Sequence, residues 1–332
     1  MATLIAPTKH SPVEDAETIY SACKGFGTDE KAIISILGHR TAQQRQQVII
    51  AYQKLYHEDL VSCLDSELSG DFKKAVHQWI FEPADRDALL ANEAIKKAVP
   101  DYHVIIEIAC VRSPEELFAV RQAYQVRYKR SLEEDVAAHT TGDIRTALLL
   151  LLLFFLWSLL QLLVALVSAF RYAGDEINER LAESEAGILD DAIKDKTFNH
   201  EEVMRIICTR SKAQLKATFN RYRDEHHGTR ITKNLKGEGN QGDDFAAALR
   251  TAMRCIKNSN KYFVKVVHNA MKGAITDEDS LTRVMVTRAE KDLKEIKELY
   301  YNRNSVSFDQ AVANNTSGDY KDFLLTLSGK ED

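Results

Sequence analysis

The chain has 332 residues, room for two or more domains or for a repeat array, and its 28% charged and 45% hydrophobic residues are an ordinary globular balance. A net charge of −5 gives no general attraction to nucleic acid or to an anionic membrane, so binding to a phosphate-rich surface needs local help such as a bridging cation. Five cysteines without a C-x-x-C spacing favour reduced thiols in a cytosolic protein over a disulfide framework.

The tail, residues 1–11, lacks a basic segment followed by an apolar run, so no signal peptide is expected. A first unit spans 12–82. Its "CKGFGTDE" places Gly25 and Gly27 where a sharp turn can aim several carbonyl oxygens inward. Thr28 suits the N-cap of the next helix, with Asp29 and Glu30 in its first turn. That helix carries Ile33, Ile36 and Leu37 seven, four and three residues before Arg40, which is one helical face. Tyr52 follows the arginine by twelve residues and "SGDF" at Gly70 by thirty. Glu67 stands forty residues after Gly27. A hard divalent cation takes six to eight oxygens, and a loop with a distant acid at fixed spacing supplies that kind of set.

The second unit, 83–172, repeats the register around Arg112 with Tyr124 and "TGDI" at Gly142. "KKAVPDYHV" replaces its loop and His139 takes the acid's place, so no metal site is expected. The same unit holds "TALLLLLLFFLWSLLQLLVALVSAF", 146–170, which alone reads as a transmembrane helix. Register argues otherwise. One residue should join Arg145 to Leu162, but the sixteen of 146–161 stand there, inside a helix the repeat already has. Leu, Phe and Ser have pyrimidine-rich codons, and a tract ending in the Gln161 codon has the form of an intron's 3′ end. The stretch is therefore read as an insert left by a retained intron or a gene-model error, with a genuine insertion that spans or enters a membrane as the alternative.

The third unit, 173–253, centres on Arg210 and Tyr222; its "KDKTFNHEE" has no glycine and its acid position falls near Asn240, again without a metal site. The fourth, 254–332, centres on Arg288 and Tyr300 and ends with "SGDY" at Gly318. Its "MKGAITDE" puts Ile275 in the place of Gly27 and Asn315 in the place of Glu67. A β-branched residue resists a glycine conformation and an amide lacks charge, so this site should be weaker. The helical period, four times over with no alternating strand pattern, predicts an all-α repeat fold. The arginines read as structural salt bridges near helix ends.

The G-x-G-T loop, the acid forty residues on and the fourfold repeat resemble the annexins over essentially the whole chain. "LGHR" at 37–40, Phe26 at the loop tip and the loops missing from the middle repeats are similar to a plant annexin. The resemblance implies four repeats of about five helices each forming a curved disc, here with an extra apolar insert in repeat 2. It implies loops that bind Ca²⁺ and anionic phospholipid, reversibly and peripherally, from the cytoplasm. The implied ligands are the carbonyls of Cys23, Gly25 and Gly27 with the Glu67 carboxylate. Thr28 and Glu30 are implied for an accessory ion, and Met271, Gly273, Ile275 and Asn315 for the weaker fourth-repeat site. Lys24 and Phe26 are the implied lipid contacts. The cation bridges two anions, which lets an acidic protein bind an acidic membrane.

No enzyme activity is expected. His39 of "GHR", imagined as a haem ligand in this family, corresponds to Val111, Thr209 and Thr287 in the other repeats and reads as structural. "GEGNQGDD" from Gly237 lacks the lysine and hydroxyl of a phosphate loop. "MRI" at 204–206 resembles a short actin-binding motif, a weak signal, and Cys110 and Cys208 read as buried small hydrophobes. A protein-binding helical scaffold remains the other class, but it needs no carboxylate in register with a glycine loop.

Overall fold

The computed structural model of the protein describes residues 1–25, 27–140, 150–238 and 244–330, without the side chains of 140, 150–157, 237 and 238. Among the described residues all regular structure is helical, as the period predicts. Repeat 1 holds α1 (Pro12–Cys23), α2 (Glu30–Leu37), α3 (Ala42–Tyr56), α4 (Leu60–Glu67) and α5 (Gly70–Ile80). Repeat 2 holds α6 (Pro83–Lys96), α7 (Tyr102–Val111), α8 (Pro114–Tyr128), α9 (Leu132–Thr140) and α10 (Leu150–Ser168). Repeat 3 holds α11 (Glu179–Lys194), α12 (Glu201–Thr209), α13 (Lys212–Glu225), α14 (Ile231–Glu238) and α15 (Asp244–Lys257). Repeat 4 holds α16 (Ser259–Lys272), α17 (Glu278–Arg288), α18 (Leu293–Asn304), α19 (Phe308–Asn315) and α20 (Gly318–Leu327).

Local chemistry sets the helix starts. Thr41 with Gln44 and Ser113 with Glu116 form capping boxes directly after Arg40 and Arg112, each satisfying two orphan donors. Gly70 and Gly318 open α5 and α20 at φ 60, a left-handed backbone that a side chain disfavours. That explains the Gly-Asp signal thirty residues after Arg40 and Arg288. Gly142 lies outside the described residues, as does Gly242 of the third repeat's "GDDF", two residues beyond the register.

The arginines are structural, and their partners share one spacing. Arg40 binds Asp15 at 2.6 and 2.7 Å, Arg112 binds Asp87 at 2.8 Å and Arg210 binds Glu185 at 2.6 Å, in each case twenty-five residues back. In repeat 4 that position is Phe263; Arg288 lies over its ring at 4.8 Å and takes Asp292 instead, at 2.7 Å. The four tyrosines are buried.

The chain divides into two compact units, 1–86 with 260–332, and 87–259. Each is internally reciprocal. In the first, α5 packs on α17 and α20 on α2; in the second, α15 packs on α7 and α10 on α12. The fifth helix of each repeat thus lies against the second helix of its partner repeat. Arg45 reinforces the first unit: it is fully buried, stacks on Trp79 at 3.8 Å and reaches Glu290 at 3.1 Å. Burial holds its guanidinium down near about 10, against the pull of Glu290.

This packing bears on the apolar stretch. Residues 146–149 lie outside the described residues, but from Ser158 onward α10 is a core helix. It contacts α7, α9, α12 and α15, burying Leu159, Leu162, Leu163, Leu166 and Val167, while Ser158 accepts a hydrogen bond from Asn199 at 3.1 Å. Ser158 and Leu159, which the sequence reading counts within the insert, are packed in the repeat. The spanning reading loses its C-terminal half to the protein interior, and among the described residues no helix is long and apolar enough to cross a membrane. Leu163→Ala, at a fully buried position, should cost about 2–5 kcal/mol in denaturant unfolding. A lipid-facing Leu163 would show almost none.

Candidate functional site

The first loop and the corner opposite it form one piece. α1 ends at Cys23, Lys24 leaves in extended backbone, and Gly25 and Gly27 take φ 131 and 88, which side chains rarely allow. The loop closes where the Asp29 N–H donates to the Ala22 carbonyl at 2.9 Å. The same seven-residue closure joins Asp101 to Ala94 at 3.0 Å and Asp277 to Ala270 at 2.9 Å. In repeat 3, the closure is Thr197 to Ala192, with Lys196 at φ 56.

The helix cap differs from the expectation. Asp29, not Thr28, caps α2 by accepting from the Ala32 N–H at 3.0 Å, as Asp277 does for Ser280 at 3.1 Å. A carboxylate gains from the helix dipole at this position as a hydroxyl does not. Thr28 is thereby freed to reach across the loop. Its hydroxyl lies 3.4 Å from the Glu67 carboxylate and 3.4 Å from the Glu67 carbonyl. Thr276 makes the matching bond to the Asn315 carbonyl at 3.0 Å. A threonine thus clips each glycine-containing loop to the end of its repeat's fourth helix. Sequence reasoning missed this clip, although threonine one residue past Gly27 and Ile275 was its visible signal.

Cys23, Lys24 and Glu67 line a cavity of about 510 Å³ together with Tyr20, Glu58 and Cys63. Gly25 and Gly27 complete the loop without lining that cavity, and Glu30 lines a different one, of about 580 Å³, with Thr276 and Asn315. The structure thus brings Cys23, Thr28 and Glu67 together and places Glu30 apart from that cavity. Phe26 lies outside the described residues. Lys24 donates to the Tyr20 hydroxyl at 3.0 Å, and Tyr20 in turn stacks on Tyr56 at 3.7 Å. The Tyr20 hydrogen bond raises the Lys24 pKa, so its charge is held beside the loop. Burial, with Cys63 and Glu67 nearby, pushes the Cys23 thiol up to about 12.

The donor set fits a hard cation. Among the described residues no three His, Cys, Asp or Glu side chains gather into a metal centre; the loop offers backbone oxygens and one carboxylate. That composition suits Ca²⁺ and not a soft metal. The fourth-repeat loop has a different backbone: neither Gly273 nor Ile275 takes a positive φ, and a Cβ on Gly273 would stand 3.1 Å from the Ile275 carbonyl oxygen. Ile275 is 86% exposed, Met271 is buried, and the Asn315 amide donates to Ala311 at 2.8 Å within its own helix.

The remaining candidates have structural surroundings. His39 donates from Nδ1 to the Ser35 carbonyl at 3.0 Å, and His139 to Asp135 at 2.9 Å. In "MRI", Ile206 is buried and Arg205 binds Glu202 at 2.6 Å. Cys110 and Cys208 are buried, which pushes their thiols up to about 11 and about 12. Asn240 and most of the glycine-rich segment after Gly237 lie outside the described residues.

Comparison with known proteins agrees on one family. The family model described as Annexin matches residues 14–79, 86–151, 184–243 and 262–327. The chain is 61% identical to Annexin-like protein RJ4 of Fragaria ananassa, with all of both chains covered. Its fold is similar to that of annexin III, with TM-score 0.87 and 32% identity over 100% of this chain and 98% of that one. It is also similar to a calcium-bound annexin (Sm)1, with TM-score 0.79 and 30% identity over 99% of this chain and 93% of that one.

Proposed function

The chain belongs to the annexin family, known for calcium-dependent phospholipid binding, and from that premise we propose that its first-repeat loop is the working calcium and lipid site. The observation that supports this most is the Thr28 clip, which holds the Glu67 carboxylate against a loop whose glycines take positive φ. The carbonyls of Cys23, Gly25 and Gly27 with Glu67 would hold Ca²⁺. When bound, the cation supplies a positive centre that an anionic lipid phosphate can share with the protein.

The chain's own residues do the rest. Thr28 orients Glu67, a role we propose in place of direct ligation of an accessory ion. Lys24, fixed by Tyr20, adds a permanent positive charge beside the loop, and Phe26 is proposed as the amphipathic anchor at the tip. The fourth-repeat site is proposed as weaker, because its backbone lacks the glycine conformation and Asn315 brings no charge. We propose a binding role without a catalytic step, peripheral and reversible at the membrane surface.

Because lipid completes the coordination, calcium affinity should rise when vesicles are present, as linkage requires. Calorimetric Ca²⁺ titration with and without phosphatidylserine vesicles tests this. Equal affinity in both would contradict the bridging role.

A further inference from the structure

Repeat 1 departs from the middle repeats beneath its loop. In repeat 2, the Tyr124 hydroxyl donates to Asp135 at 2.7 Å, and in repeat 3, the Tyr222 hydroxyl accepts from Asn234 at 2.8 Å. In repeat 1, the Tyr52 hydroxyl donates to the sulfur of Cys63 at 3.3 Å. Cys63 lies on α4 one turn before Glu67, and Cys23 is the last residue of α1. α1 and α4 pack directly on each other. Both thiols line the cavity that Glu67 lines and both are partly exposed, whereas Cys110, Cys208 and Cys255 are buried. A pair of thiols packed only as small hydrophobes is the plainer account, and it predicts no cross-link.

We propose that Cys23 and Cys63 are a dithiol modification site, which a peroxide converts to an intramolecular disulfide tying the base of the loop to the helix that carries Glu67. The peroxide oxidises one thiol to a sulfenic acid and releases water; the second thiol then attacks that sulfur, the S–S bond forms and a second water leaves. Two thiols and one hydrogen peroxide give one disulfide and two waters. The bond joins the segment that begins the loop to the helix that ends at the acid, so less freedom is lost when the ligands assemble around a cation. Oxidation should therefore lower the calcium needed for membrane binding, and calcium should in turn favour oxidation. This consequence rests on the calcium reading above; the cross-link itself does not.

The test treats the reduced full chain with hydrogen peroxide and maps its peptides without reduction. The expected product joins the peptides of Cys23 and Cys63, lighter by two hydrogens, reversed by dithiothreitol and absent from Cys63→Ser. Sulfinic or sulfonic acid at either residue without that link overturns the proposal. The oxidised and reduced chains are then sedimented with phosphatidylserine vesicles across a calcium series. The oxidised midpoint should fall about threefold or more, the scale of modest preorganisation. A link that leaves the midpoint unchanged overturns the coupling. A reduced chain that ignores calcium altogether overturns the calcium reading while leaving the disulfide standing.

Discussion

Asp87→Ala should lower the thermal unfolding midpoint by about 10 °C, from a loss of about 3–5 kcal/mol. Asp87 is 1% exposed and receives the Arg112 guanidinium at 2.8 Å, itself buried at the C-terminus of α7. Taking away the carboxylate leaves a guanidinium, which does not give up its proton, with its main counter-charge missing inside unit 2. Breaking a buried pair is costly even where replacing both partners is not, because the surviving charge has already lost its water. The exposed pair of Lys74 with Asp279 is the contrast, worth at most about 1 kcal/mol. Differential scanning calorimetry of Asp87→Ala beside Lys74→Ala separates the two. A midpoint for Asp87→Ala as little moved as that of Lys74→Ala would show the fourfold arginine register to be dispensable.

Glu67→Gln should raise the calcium needed for half-maximal vesicle binding by about tenfold or more, whereas Asn315→Ala should change it by less than about twofold. The glutamine keeps the shape of the side chain and can still accept from Thr28, so the fold around the clip is retained. What it loses is the charge and the bidentate grip on which hard-cation sites depend. Asn315 has neither to lose, and its amide is already turned to Ala311. Equal shifts from the two substitutions would move the working site out of repeat 1.

The repeat was legible because its signals are local. Arginine, apolar face and tyrosine recur at fixed spacing, and Gly70 and Gly318 mark a backbone that excludes most side chains. The loop and Glu67 were legible by their forty-residue register. The arginine partners were harder, since an acid twenty-five residues back looks like any surface acid, and repeat 4 replaces it with Phe263 and Asp292. Thr28 was misplaced because Thr and Asp both suit an N-cap, and only the fold shows that Glu67 lies within reach of the hydroxyl. The apolar stretch admits a spanning alternative for a related reason. A buried helix and a membrane helix share one composition, and what separates them is the reciprocal packing of α10 on α12.

Cosedimentation of the full chain with phosphatidylserine vesicles tests the central claim most directly. The protein should pellet with vesicles when Ca²⁺ is present, return to the supernatant when a chelator is added, and stay in the supernatant with neutral phosphatidylcholine vesicles. Binding that persists in chelator would contradict a cation held by the first-repeat loop and Glu67, and would point to direct insertion of apolar chain into lipid.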